Sequence, residues 1–327
     1  MRFSKKWMIA LALTILFAML GQASPALAQK TVRLSIATGG TGGSYYPMGG
    51  AMANIISKHI PYAEATAEVS SASIDNCLLV GKAKVDMAFT NADTAWDAFR
   101  GTGKAFKEKF PLRTLAVWSP SIMHIVSVEG KGIQKITDLR GKRIATGAPG
   151  SNTELMAKRI LAAYGVDPDK DLTRERLSIS EAAGALKDRK IDAFFWVGGL
   201  PTAAVTDLAA TPGIKIKLFS HGDVVAKMRE EYGPFYAVMR IAAKTYPGQE
   251  GEVSTCAVWN LVICNENMKE SLAYDIIKAF FDHKPELLAS HGDVKYLALD
   301  SQAGGGSPIP FHPGAARFYK EKGVKGF

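Results

Sequence analysis

The sequence predicts an α/β fold of two lobes, each a mixed or parallel sheet flanked by helices, with crossing hinge segments between them. Three observations carry this. The stretch IATGGTGGSYYP, from Ile36 to Pro47, is echoed by IATGAPGSNTE, from Ile144 to Glu154. Further features recur in the same order at a nearly constant offset. Two long β-rich runs stand where the chain would pass between the repeated units.

The strand end IATG repeats at an offset of 108 residues, and the Gly-Ser pair closing each loop (Gly43-Ser44, Gly150-Ser151) at 107. Ser73-Ile74-Asp75 faces Ser180-Glu181-Ala182, and KVDMAF (84–89) faces KIDAFF (190–195), at 107 and 106. Each unit reads strand, Gly-rich loop, helix, strand-like stretch, Ser-initiated helix, strand, the alternation of a parallel α/β sheet. Met48, Met52, Ile55 and Ile56 form a helical stripe, matched by Met156, Ile160, Ala163 and Tyr164 with Gly165 as the stop. Pro47 suits a first turn, and Ser151 with Glu154 spells a capping box. The runs LRTLAVWSPSIMHIVSV (112–128) and STCAVWNLVIC (254–264) are the expected crossings. Lobe 1 is therefore expected at 29–122 plus 255–327, and lobe 2 at 123–254.

The N-terminus reads as a secretory signal over residues 1–28. Arg2, Lys5 and Lys6 precede an apolar run from Trp7 to Leu20, and Ala26-Leu27-Ala28 is a cleavage pattern. That run of 14 residues is short of the ~20 that span a bilayer. The mature chain is expected in the periplasm, as a monomer. It would keep 299 of the 327 residues and a formal charge of +6 rather than +9, since the signal removes three cations. The remaining cations are scattered among acids, as in KEKF and FYKEKG, which reads as solvated surface and argues against nucleic acid. Cys256 and Cys264 on one strand would stand about 26 Å apart, so they cannot pair with each other. Buried free thiols are expected at Cys77, Cys256 and Cys264.

In open α/β sheets, ligands sit beyond the carboxyl ends of strands, where helix N-termini favour anions. Two matched loops aimed at one cleft predict a small organic acid, held by backbone amides and hydroxyls from both sides. Of Tyr45 and Tyr46, one is expected to pack and the other to cover the ligand. Asn91 and Asp93 follow a lobe-one strand and serve either as a turn and helix cap or as ligand contacts. Phe195 and Trp196 end the matching strand before the Gly198–Pro201 turn; one aromatic could floor the pocket or fill the core, and Phe195 is the one expected at the site.

Catalysis and cofactors find no support. Gly40-Thr41-Gly42-Gly43-Ser44-Tyr45 fails the dinucleotide pattern, and neither loop holds the Gly-Lys-Ser/Thr of a phosphate loop. No nucleophile elbow surrounds Ser44 or Ser151, and the six histidines show no metal-ligand spacing. SHGDV, at 220–224 and 290–294, reads as a polar turn or cap. No enzyme, cofactor or metal is expected.

Taken together, IATGGTGGSYYPMGGAMANII, ITDLRGKRIATGAPGSNTE, KIDAFFWVGGLPT, YPGQ and PIPFHPGAARFYKEKG give a chain that resembles the TAXI-type solute receptors of tripartite ATP-independent periplasmic (TRAP) transporters. The resemblance implies a two-lobed periplasmic binding fold closing on a small organic acid such as glutamate or a dicarboxylate. It also implies integral membrane partner subunits driven by an ion gradient. By the same resemblance Thr41, Gly43, Ser44, Tyr45, Tyr46, Ser73, Asn76, Asn91, Asp93, Ser151, Asn152 and Thr153 approach the ligand. SSASIDN, Asn91-Ala92-Asp93 and the Asn152 of GAPGSNTE depart from the family's usual residues.

Overall fold

A computed structural model of the chain describes residues 31–303 and 306–327, so the expected signal peptide lies outside the described residues. In chain order the main elements are β1 (Val32–Ala37), α1 (Tyr45–His59), β2 (Ala63–Glu68), α2 (Ser73–Gly81), β3 (Met87–Asn91), α3 (Ala92–Arg100) and β4 (Leu112–Val128). Then come β5 (Arg143–Ala145), α4 (Asn152–Ala163), β6 (Thr173–Glu175), α5 (Ile179–Lys187), β7 (Ala193–Gly198), α6 (Ala203–Ala209), β8 (Ile216–Leu218) and α7 (Val225–Tyr232). The chain closes with β9 (Tyr236–Ile241), β10 (Val253–Asn265), α8 (Glu270–Asp282), α9 (Lys284–Leu288) and α10 (Pro313–Glu321).

The strands follow the order β2-β1-β3-β10-β4-β7-β5-β6, with β8 added to β4 and β9 to β10. β1 pairs β3 in parallel, and β5 pairs both β6 and β7 in parallel, so each repeated unit builds its own parallel set. Between them run the two predicted crossings. β10 pairs β9 over Val253–Val258, β4 over Ala257–Asn265 and β3 over Asn260–Cys264. β4 turns to β7 from Ile122 onward. The register of β4 on β10 shifts beside Asn260, an irregularity that bends both strands where they leave one half for the other. The fold is α/β and two-lobed, with a mixed sheet flanked by helices.

The helical stripes bury as their spacing requires: Met48, Met52, Ile55 and Ile56 are almost wholly enclosed, and Met156 and Ile160 match them. Gly165 takes a φ of +71°, the left-handed conformation that ends a helix. All three cysteines are buried and free, and burial pushes the Cys77 and Cys256 thiols up to about 12. Two local expectations need correction. The second Ser-initiated helix starts two residues earlier than its match suggests: Ser178, not Ser180, accepts the Glu181 N–H, and Glu181 returns the bond to complete a capping box. Ser151 does accept the Glu154 N–H, but the Glu154 carboxylate turns to Arg174 and Arg176 instead of closing the box. Two nearby guanidiniums outbid a neutral amide.

Both SHGDV copies form short 3₁₀ turns, and the buried His221 joins His124 as an imidazole held neutral. His124 Nδ1 meets the Ile122 carbonyl at 2.9 Å and Nε2 meets the Tyr246 hydroxyl at 2.8 Å, so the ring uses both nitrogens without a second proton. Burial lowers both rings to about 4. The unfolded chain therefore takes up protons first as pH falls, and stability drops between about 6.5 and about 4. Asp293, which burial raises to about 6, works the opposite way over the same range. Burial also lowers His291 and His312 and raises Asp93, so four imidazoles stand against two carboxyls and the urea midpoint should fall from pH 7 to pH 4.5. A flat midpoint over that range would contradict the buried neutral histidines.

Candidate ligand-binding site

The carboxyl ends of β1, β3, β5 and β7 point into a cavity of about 300 Å³. Both Gly-rich loops line it, with Gly39, Gly40, Gly43 and Ser44 from one and Gly147, Ala148 and Ser151 from the other. Glycine is needed at particular points here. A Cβ on Gly43 would stand 3.0 Å from the Trp196 ring. Gly147, at φ +101°, would drive a Cβ to within 2.6 Å of Thr153. Four helices begin at the cavity wall, at Tyr45, Ser73, Asn152 and Ile179. Their first-turn N–H groups have no intrahelical partner and carry partial positive charge.

Nine of the fifteen expected site residues are brought together here: Gly43, Ser44, Tyr45, Ser73, Asn91, Ser151, Asn152, Thr153 and Gly198. Several already have fixed duties. Ser73 Oγ donates to Asn91 Oδ1 at 3.0 Å, and Asn91 Nδ2 donates to Asn260 Oδ1 at 2.8 Å. The same oxygen accepts the Tyr45 hydroxyl at 2.6 Å, and Asn260 Nδ2 donates onward to Ser119 at 3.0 Å. Tyr45 also stacks on Phe89, so it packs and faces the cavity at once, and burial keeps its hydroxyl protonated as a donor. Ser151 Oγ donates to the Ala148 carbonyl at 2.7 Å while capping α4, so it has no proton left for a ligand. Thr153 Oγ1 accepts from the Val197 N–H at 3.1 Å.

Asn152 is different. Its Oδ1 accepts from Thr94 at 3.1 Å, but its Nδ2, in a residue only 2% exposed, has no partner among the described residues. A buried amide left unpaired costs roughly 1–3 kcal/mol, which a ligand acceptor would recover.

Six expected residues do not line the cavity. Thr41 and Tyr46 point to solvent, because the loop tip and the outer face of α1 carry them. Asn76 is wholly buried and spent on the backbone: Nδ2 donates to the Thr38 and Phe89 carbonyls at 2.7 Å each, and Oδ1 accepts from Ser70. Asp93 faces Arg159 and Tyr236 and does not line the cavity. Phe195 lies in the core and the next residue, Trp196, faces the cavity instead, as strand alternation demands of neighbours. Pro201, after a cis peptide bond, is exposed beyond the turn.

The sequence reading missed Asn260 and the choice of Trp196. A lone Asn inside the apolar run AVWNLVIC was the available signal for the first. The lining holds no lysine, arginine or histidine; its ionised side chain is Glu181, exposed and bonded to its own cap. Val69, Leu177, Ile179, Val197 and the Trp196 ring supply apolar wall.

A family model for the NMT1-like family matches residues 36–323. The chain belongs to the NMT1-like family. Among solved structures, this NMT1-like chain is similar to one described as a periplasmic transporter, at 14% identity, covering 90% of this chain and 93% of that one, with a TM-score of 0.52. It also matches a putative L-cystine ABC transporter from Listeria monocytogenes, at 16% identity over 86% of this chain and 99% of that one, TM-score 0.49. The alkanesulfonate-binding protein SsuA from Xanthomonas axonopodis pv. citri, bound to MOPS, matches at 13% identity over 90% and 85%, TM-score 0.45. At such identities the likeness concerns the fold. Among the described residues no helix is long and apolar enough to cross a membrane.

Proposed function

We propose that this chain is a periplasmic solute receptor that captures a small organic acid between its two lobes and hands it to the membrane subunits of a tripartite, ion-driven transporter. The unpartnered Asn152 Nδ2, buried at the mouth of helix α4 in a cavity without cationic side chains, carries the reading. The acid's anionic group would sit against the helix N-termini and accept from Asn152, with Ser44 and the loop amides as further donors. Its body would lie between Trp196 and the apolar wall. A monoanion with an apolar body suits this lining better than glutamate, because Asp93 is committed elsewhere and only the exposed Glu181 could meet an ammonium. In this reading the lobes comprise 29–122 with 255–327 and 123–254, and closure turns about β4 and β10. No step of this work needs a catalytic group. The TRAP assignment rests on the sequence resemblance; a monomer and a cleaved signal over residues 1–28 complete the reading.

A thermal-shift screen of residues 29–327, unfolded and refolded to strip carried ligand, tests it. A monocarboxylate or sulfonate at a hundred times its dissociation constant should stabilise by ~2.7 kcal/mol, a rise of several degrees. Silence across all acids would overturn the organic-acid reading, and a response to amino acids alone would move the ligand to the Glu181 side. Uptake into vesicles bearing the membrane subunits should follow an imposed sodium gradient; a requirement for ATP would refute the tripartite partner.

A further inference from the structure

We infer that His59, His283 and Glu286 form a site for a divalent transition-metal ion of zinc's class. None of the three lines the ligand cavity. His59 is the last residue of α1, His283 joins α8 to α9, and Glu286 lies in the first turn of α9. The two histidines are far apart in sequence, so no spacing rule could pair them. Folding lays their rings flat against each other, centroids 3.4 Å apart and 10° from parallel.

Both rings turn a nitrogen toward one carboxylate oxygen. His59 Nε2 is 3.0 Å from Glu286 Oε1, and His283 Nδ1 is 3.5 Å from it. The three ligand atoms all lie within 4.8 Å of one another. Ligands held about 2.1 Å from a tetrahedral zinc stand roughly 3.4 Å apart. The two nitrogen–oxygen distances bracket that spacing, and to bind one ion the stacked rings must swing apart until their in-plane nitrogen lone pairs converge on it. Lys58 grips the other oxygen, Oε2, at 2.9 Å and leaves Oε1 turned to the rings. Two imidazoles and one carboxylate suit zinc or its neighbours rather than calcium or magnesium. The side chains of His59, His283 and Glu286 are 19%, 34% and 37% exposed, which leaves the fourth position open to water. Such an ion would staple the end of α1 to the α8–α9 joint.

Calorimetric titration of ZnCl₂ into tag-free, EDTA-stripped residues 29–327 at pH 7.5 tests the site. One zinc per chain should bind, and the melting temperature should rise with it. His59→Ala and His283→Ala should each weaken binding by more than about tenfold, the least that losing even an outer partner of a metal site costs. His59→Gln, which keeps a hydrogen-bonding side chain, should fail equally, with the zinc-free urea midpoint reporting that each variant folds. No zinc uptake by the wild type, or uptake unaltered in both histidine variants, would leave only a hydrogen-bonded surface cluster and overturn the site.

Discussion

Replacing Arg159 by Met should destabilise the protein by about 3 kcal/mol or more, the cost of stripping one partner from a buried ion pair. Arg159 leaves α4 and reaches across to α3 in the other half. Its guanidinium meets Asp97 at 2.7 Å and Asp93 at 3.3 Å, donates to the Tyr236 hydroxyl at 2.6 Å, and lies over the Tyr232 ring. Asp93 is 1% exposed, and burial raises its carboxyl while Arg159, the Tyr236 hydroxyl and the Thr94 N–H oppose the rise. Without the cation, a wholly buried carboxylate faces only neutral donors, and its neutral form is favoured further. A group whose folded pKa is raised costs more stability as pH climbs from its unfolded value toward the folded one. The variant's deficit should therefore be larger at pH 8 than at pH 5, read from urea midpoints. Adding Asp93→Asn to Arg159→Met should recover much of the loss, because the uncompensated charge is then gone. A single variant within about 0.5 kcal/mol of wild type at pH 8 would show that the pair contributes nothing.

Asn152→Leu should weaken binding of the ligand found in the screen by about ten- to a hundredfold, the equivalent of one hydrogen bond to a charged group. Unliganded stability should move by no more than about 1 kcal/mol, since the substitution discards an orphaned amide along with the bond from Thr94. Ser151→Ala should behave in the opposite way. Its hydroxyl is fully engaged with Ala148 and Glu154, so stability should drop by about 1 kcal/mol while affinity hardly changes. Isothermal titration and urea melts on the two variants separate these outcomes. Equal affinity in Asn152→Leu and wild type would remove Asn152 from the site and with it the observation on which the proposed function stands.

Both predictions rest on the seam between the halves, where the two Gly-Ser loops come together. Gly150 offers its carbonyl to the Ile74 and Asp75 N–H groups at the start of α2, and Thr94 reaches Asn152 across the same seam. Polar groups proposed to bind solute and polar groups that join these segments thus lie side by side, on the same helix starts.

Periodicity and local chemistry were enough to read the elements. A 3.6-residue stripe, a Gly where φ must be positive, a Ser at a helix start and a long β-branched run each depend on neighbours within a few residues. That is why α1, α4, β4 and β10, and the pairing of the two Gly-rich loops, were legible from the sequence. The roles of individual polar residues were not, because a side chain's partner is chosen by the folded surroundings. Asn76 and Asn152 look alike in sequence, yet one is consumed by carbonyls of β3 and the β1 loop and the other keeps a free donor. Phe195 and Trp196 are adjacent aromatics whose facing depends on which side of β7 the core lies. Asp93 turned to a cation sixty-six residues away, and His59 came to rest against His283. The sequence determined the elements and their order through local sterics and hydrophobic spacing; the tertiary structure alone decided which polar groups were satisfied, because that depends on distances between segments that are remote along the chain.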